Sequence, residues 1–243
     1  MKPRSYAFLL FILIAEATLG SKYSQLQFRS YTIENGLPVG TVWTVYQDSC
    51  GFIWFGLDNG LTRFDGLQFK TYTTHGEKGK TLSNDKIYDI VQGYGQKLYF
   101  ATAEGITVFD KISGTFYDFP FVDTLLRRQP FRAIIVESDS TLLAATQISG
   151  AIRIFLSSRK TEPLIEGGKT FYARNIFIDS QKLLWISTYG KGFYVKSPNN
   201  TFEQYLVCTD KTDPNDYEAK NRVNQIFEYT TNLYWILTER GLY

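Results

Sequence analysis

Apolar and polar positions along this chain fall into one unit written five times. In each copy an apolar stretch runs into a tight turn. A second stretch then carries an apolar or aromatic anchor, and a glycine follows six or seven residues later. The copies read Gly51-Phe52-Ile53-Trp54 through Asn59-Gly60, Lys97-Leu98-Tyr99 through Glu104-Gly105, Thr141-Leu142-Leu143 through Ser149-Gly150, Lys182-Leu183-Leu184-Trp185 through Lys191-Gly192, and Asn232-Leu233-Tyr234-Trp235 through Arg240-Gly241. The anchors Trp54, Tyr99, Leu143, Trp185 and Trp235 stand 45, 44, 42 and 50 residues apart. A fixed period in that range is the mark of a solenoid, propeller or array.

Aligning the copies on their anchors assigns each stretch a role. Nine positions before the anchor stand Val45, Ile90, Ile134, Ile176 and Ile226. All five are β-branched, which predicts a core-facing position on an innermost strand. Clusters of Asp, Ser, Gly and Asn then supply hairpin turns. The second strand holds the anchor in a continuous apolar run, as a strand covered on both faces should. The glycine after it is expected at positive φ, and a third strand leaves it, as in Ile106-Thr107-Val108-Phe109-Asp110. A more polar fourth strand closes the unit, as in Phe69-Lys70-Thr71-Tyr72. Four antiparallel strands per repeat make the blade of a β-propeller, so the fold class is all-β.

Blades are predicted over about 41–72, 85–119, 131–160, 173–205 and 221–243 within a propeller segment spanning 18–243. Phe28-Arg29-Ser30-Tyr31 matches the fourth-strand pattern and is expected to complete another blade. Tyr243 falls at the start of a third strand, so an incomplete propeller is predicted. Ahead of it, Lys2 and Arg4 precede the apolar run Ala7–Ala15, which is too short to span a bilayer. With Ala15-Glu16-Ala17 it reads as a signal peptide over 1–17, and hence as export.

Composition adds little to this and removes several alternatives. The 243 residues include 19 Phe, 17 Tyr and 4 Trp, an aromatic load that suits pleated surfaces. A net charge of +2 with scattered basic residues gives no nucleic-acid footprint. One His and the two distant cysteines, Cys50 and Cys208, assemble neither a zinc site nor a repeat-related disulfide. No metal and no cofactor is expected. The acidic stretch Asp210–Asp216 lacks the Gly and final Glu of a calcium loop and is read as a solvated connection.

The run Val42-Trp43-Thr44-Val45-Tyr46-Gln47-Asp48-Ser49-Cys50-Gly51-Phe52-Ile53-Trp54-Phe55-Gly56-Leu57-Asp58-Asn59-Gly60-Leu61-Thr62-Arg63-Phe64-Asp65-Gly66 resembles the two-component regulator propeller repeat. The lead-in Tyr31–Pro38 resembles the start of such periplasmic sensors. The resemblance implies the sensing half of a membrane-anchored signalling protein, often a hybrid histidine kinase responding to glycan fragments. It further implies more blades, a membrane helix and a kinase in a longer parent, which could act as a homodimer. This chain has no nucleotide cradle, and its single His75 lies in a loop.

Catalysis finds no support in the residues. Glycoside hydrolysis needs two carboxylates on one cleft, and the inner-strand candidates Asp89 and Glu228 belong to different blades. Binding has better candidates. Eleven positions before the anchors stand Trp43, Tyr88, Arg132, Arg174 and Asn224; the next position holds Asp89 and Asn175 in the second and fourth copies. Propeller geometry would gather these around one mouth of the central channel. Aromatic faces suit sugar rings, and guanidinium forks suit carboxylate or sulfate. An oligosaccharide is therefore one candidate partner and another protein domain a second. In the alternative reading Trp43 and Tyr88 pack between blades and the arginines merely cap them.

Overall fold

The structure is a computed structural model that describes residues 29–38, 40–76, 79, 81–165, 171–197, 199 and 201–243. The signal segment expected over 1–17 lies outside these residues, as does Phe28. The chain divides into two compact units at Leu37 and Pro38. In the first, Ile33–Asn35 forms a 3-10 turn ended by Gly36 at φ 94°, and the Asn35 side chain accepts from the Thr32 amide at 2.9 Å. Arg29–Tyr31 are not a strand, contrary to the expectation for this segment. A strand needs a neighbour to complete its ladder, and none of the described sheets includes these residues.

The second unit is an all-β propeller segment. Its first blade is the antiparallel meander β1 (Val42–Gln47), β2 (Ile53–Leu57), β3 (Leu61–Phe64) and β4 (Phe69–Tyr72). The second comprises β5 (Ile87–Gln92), β6 (Lys97–Thr102), β7 (Ile106–Asp110) and β8 (Thr115–Asp118). The third holds β9 (Phe131–Val136), β10 (Thr141–Thr146), β11 (Ala151–Phe155) and β12 (Thr161–Pro163), the last beyond the predicted boundary at 160. The fourth holds β13 (Ala173–Ile178), β14 (Leu184–Thr188), β15 (Phe193–Lys196) and β16 (Phe202–Tyr205). In the fifth copy β17 (Val223–Thr230) pairs with β18 (Leu233–Thr238), and Leu242 bridges to Leu237 where a third strand would start.

Each sheet buries one face on the next. Ile90 packs with Trp54, Leu61 and Phe100 between the first two blades. Ile134 joins Val108, Phe121 and Phe131 between the second and third, and Ile176 lies with Ala145 and Ile186 between the third and fourth. Ile226 meets Phe193 and Val223 at the fourth and fifth. Burying each isoleucine is worth about 1.5–3 kcal/mol. Val45 departs from this rule and is 58% exposed, because no described sheet covers that side of β1. The exposed Phe227 and Trp235 mark the corresponding open side of the fifth copy.

The anchor glycines all adopt positive φ, from 66° at Gly192 to 157° at Gly241. At Gly192 a Cβ would stand 2.0 Å from the Tyr205 carbonyl oxygen, so no other residue fits. The acidic stretch read as a solvated loop instead enters a helix, α1 (Pro214–Lys220). Asp213 caps it by accepting from Asn215 and Asp216 amides, and Pro214 opens it with a φ already suited to a helix. Among the described residues no helix is long and apolar enough to cross a membrane.

Two blades are locked by the same polar clamp. Fully buried Trp54 donates its indole N–H to Asp48 at 3.0 Å, while Asp48 also accepts from the Cys50 and Phe52 amides. Asp179 repeats this with Trp185 at 2.8 Å and adds the Tyr234 hydroxyl of the following copy. Burial pushes both carboxyls up, yet these donors outweigh it and hold both below the usual value. Their contribution to stability is therefore complete above the unfolded aspartate range and is lost as pH falls through the depressed folded values. Where the anchor is Tyr99 the clamp position is Gly93, whose added Cβ would stand 2.7 Å from the Tyr99 ring. Trp54→Phe leaves the Asp48 carboxylate without its indole donor and should cost about 2–4 kcal/mol. Urea unfolding at neutral pH measures this, and a loss below about 1 kcal/mol would contradict the clamp.

Candidate functional site

Five of the seven predicted site residues occupy one structural position. In every inner strand the pairing skips a residue: Val42 pairs Leu57 and Thr44 pairs Gly56, which leaves Trp43 as the extra residue of a β-bulge. The same step leaves out Tyr88, Arg132, Arg174 and Asn224. A bulge bends its strand and re-aims the extra side chain. Five such bulges set five side chains at the same end of successive inner strands, which are neighbours in order.

The structure brings three of these side chains together. Trp43 and Tyr88 meet edge to face with centroids 5.6 Å apart. The Arg132 guanidinium lies 3.8 Å over the Tyr88 ring and 5.7 Å from that of Trp43. Lys86 adds its ammonium 5.2 Å over Trp43 and 3.3 Å from Asp58. Asp58 in turn accepts the Trp43 indole N–H at 2.7 Å. That hydrogen bond, with help from Lys86 and Thr41, holds the Asp58 carboxyl below its ordinary value although desolvation opposes it. Trp43 remains 43% exposed, and Tyr88 and Arg132 are half-buried.

Arg174 belongs to a second group built by the fourth and fifth copies. Its guanidinium pairs Glu239 at 3.2 Å and lies 5.4 Å from the Tyr189 ring. Arg222 takes the other Glu239 oxygen at 3.0 Å, also pairs Glu218, and covers Tyr189 at 4.5 Å. Tyr172 stacks beneath Tyr189 at 5.2 Å. Burial pushes the Glu239 carboxyl up, but its two arginines leave it below the usual value. Asn175 stands beside this group on β13, half-buried and opposite Ser187, and the Asn224 side-chain oxygen is buried without a hydrogen-bond partner among the described residues.

Asp89 has different surroundings. One carboxylate oxygen accepts from the Ile90 amide and the other from the Ile134 amide of the next blade, each at 2.9 Å. It ties two inner strands whose amides would otherwise face the channel unpaired. Glu228, the other carboxylate weighed for catalysis, accepts from the Ser180 amide and hydroxyl. The two are not brought onto one cleft as a glycosidase pair would be. Both cysteines are free, and no cluster of three His, Cys, Asp or Glu forms among the described residues.

Asp58, Lys86, Tyr172, Tyr189, Arg222 and Glu239 escaped the sequence reading, yet they follow its alignment. Lys86, Tyr172 and Arg222 stand thirteen positions before their anchors, while Asp58, Tyr189 and Glu239 stand four after. The backbone joins the two sets at the mouth, as the Tyr189 amide donates to Tyr172 and the Glu239 amide to Arg222.

A sequence comparison matches residues 36–59, from the lead-in through β1 and β2 to the end of the following turn, to the two component regulator propeller. The chain carries that propeller repeat. Over 78 residues it is 33% identical to Histidine kinase P4 of Formosa agariphila, a match covering 32% of this chain and 6% of that protein. In structure the chain is similar to an extracellular domain assigned to a hybrid two component system of B. thetaiotaomicron. The TM-score is 0.71 at 19% identity, over 88% of this chain and 30% of that one. A second extracellular domain from B. thetaiotaomicron, assigned to a one component system, gives 0.67 at 18% identity, over 89% and 28%. Virginiamycin B lyase of Staphylococcus aureus gives 0.60 at 18% identity, over 82% and 64%, so the fold by itself does not separate sensors from enzymes. The chain spans less than a third of the length of these regulatory relatives.

The propeller segment holds one carboxyl whose titration reports on its inner strands. Burial pushes Asp89 up to about 6 against its hydrogen bonds from Ile134, Ile90 and Thr44. The folded chain thus keeps this proton where the unfolded chain, titrating near 3.8, has lost it. The contribution of Asp89 to stability is greatest below the unfolded value and falls as pH rises to about 6. Asp89→Asn removes that step, so wild type should lose stability relative to the variant between about pH 4 and pH 6.5. Paired urea unfolding at the two pH values tests this; a constant difference would contradict it.

Proposed function

We propose that this chain is a non-catalytic sensing segment, outside the cytoplasmic membrane, of a two-component signalling protein, and that its blade mouth takes an oligosaccharide. Support for the signalling context comes from the propeller repeat and from the extracellular domains it resembles in fold. The leader-like residues 1–17 agree with export. Further blades of a longer parent would cover the open sides at Val45 and at Phe227 and Trp235. A ligand that favours one arrangement of a dimeric parent would bias its kinase by population shift.

The observation that carries the ligand reading is the state of Arg132. It is stacked on Tyr88, and among the described residues no hydrogen bond or ion pair reaches its guanidinium. Arg174 and Arg222, by contrast, are already matched to Glu239. A guanidinium fixed by a ring face with its in-plane donors free is prepared for a carboxylate or sulfate. The exposed Trp43 face beside it suits the apolar side of a sugar ring. An acidic oligosaccharide fits this pair best.

Calorimetric titration of the purified chain with a uronate-containing oligosaccharide and its neutral counterpart tests the reading. Trp43→Ala should weaken both about tenfold, whereas Arg132→Ala should weaken the acidic ligand at least tenfold and spare the neutral one. Binding of neither sugar, or an unchanged acidic affinity in Arg132→Ala, would overturn it.

A further inference from the structure

A second arginine without a hydrogen-bond or ion-pair partner among the described residues lies on the third strand of the first blade, away from the mouth. The pairing places Arg63 of β3 opposite the anchor Trp54. The same position holds Val108 opposite Tyr99, Arg153 opposite Leu143, and Val195 opposite Trp185. Two blades therefore carry a cation where two carry valine.

The two arginines differ in what answers them. Arg153 is held by Glu137 through two parallel hydrogen bonds of 2.6 Å, from Nε and from Nη2. Glu137 sits six residues before its anchor, the position of Asp48 in the first blade. Asp48 cannot serve Arg63 in that way. Its oxygens accept from the Trp54 indole and the Cys50 and Phe52 amides, and Lys111 of the second blade pairs it at 3.4 Å. Asp65 feels the Arg63 charge, but its carboxylate is turned to the Leu67 and Gln68 amides. Arg63 is left with ring contacts alone, its guanidinium 4.4 Å from the Phe52 ring centroid and 5.9 Å from that of Trp54. Its Nε is buried with no hydrogen-bond partner among the described residues.

A buried donor without a partner is destabilising, so one that a structure keeps calls for something to complete it. The Arg63 side chain lines a cavity of about 430 Å³ between the first and second blades. Arg63, Lys111 and Asp48 provide its charged wall, and Phe52, Phe109 and Ile112 provide much of its apolar lining. Two cations face one carboxylate that is already engaged. The vacant valence is that of an anion, and the apolar wall asks for a body behind it.

We propose that this cavity is a second ligand site, for a small carboxylate with an apolar or aromatic body, seated on Arg63 as Glu137 sits on Arg153. The site is separate from the mouth and does not depend on the oligosaccharide reading. Lys111 supplies long-range attraction, and the Arg63 fork supplies the geometry.

Titrating the full chain with phenylacetate and with its neutral isostere phenylacetamide, read by NMR at the Trp54 indole N–H, tests the site. Phenylacetate should give a saturable shift and bind at least tenfold more tightly than the amide. Arg63→Val, which installs the residue of the second and fourth blades, should lose at least tenfold in phenylacetate affinity. Arg63→Lys keeps charge and stem but not the fork, and should lose about tenfold even if the valine variant fails to fold. Trp43→Ala at the mouth should leave the phenylacetate titration unchanged. No saturable shift at Trp54, equal binding of the amide, or wild-type affinity in the folded Arg63 variants would overturn the proposal.

Discussion

Every sheet in this chain is too small to keep its own apolar face dry, and that constraint organises the rest. A four-stranded meander exposes two faces, and its isolated stability is marginal. Here each blade buries the face carrying its inner-strand isoleucine against the blade before it, as Ile90 does on Trp54 and Ile134 on Val108. Stability is thus shared between neighbours, as in other repeat architectures. The polar clamps follow from the same arrangement. An indole drawn into the interface must satisfy its N–H, fully buried at Trp54 and half-buried at Trp185, and Asp48 and Asp179 lie in the turns that can reach it. Tyr234 and Lys111 extend the two clamps across the interface to the next blade.

Packing the inner strands side by side also creates the mouth. A regular strand would send alternate side chains to opposite faces. The extra residue in each inner strand breaks that alternation at one end, and the first three side chains so released meet, while Arg174 joins a second group. Recognition chemistry is then set by which residue fills a fixed place. Aromatic residues in two blades and arginines in the next two give stacked cations, while the carboxylates four residues beyond the first and fifth anchors decide which cations are neutralised. Scaffold and site are separable for this reason: the bulge is common to all copies, the side chain is not.

Much of the scaffold was legible from the residues because it rests on local rules. Strand types, hairpin turns and the five positive-φ glycines each have a short-range cause. The expectation for Val45 failed because a β-branched residue shows that a face wants cover, not whether a sheet supplies it. The helix at Pro214–Lys220 was missed although Asp213-Pro214 is a sound N-terminal signal, since seven residues are too few to show an apolar stripe. Trp43, Tyr88 and Arg132 were picked out together, and they do meet. Placing Asp89 in the same group overlooked that a carboxylate one residue further along can satisfy the amide of the adjacent inner strand. The bulge itself could not be read, because two-against-one pairing is a property of two strands and not of either sequence.

Arg63 shows where sequence alignment of repeats fails and pairing succeeds. Counting nine residues on from the anchors sets Arg63 beside Val108, Ile152 and Tyr194, which makes it a lone polar intrusion into an apolar column. The turns of the third and fourth blades are one residue longer, however, so the residues opposite their anchors are Arg153 and Val195. Only then does the comparison become chemical: one position, two arginines, one with a carboxylate and one without. An exposed arginine would need no explanation, since water would satisfy it. The Arg63 Nε is withheld from water, and the side chain lines a cavity between two blades whose wall already includes a second cation. A third blade that answers its arginine with Glu137 shows that the fold can place a carboxylate here. In the first blade that turn position has been given to the Trp54 clamp, so Arg63 lacks the in-blade carboxylate that Arg153 has.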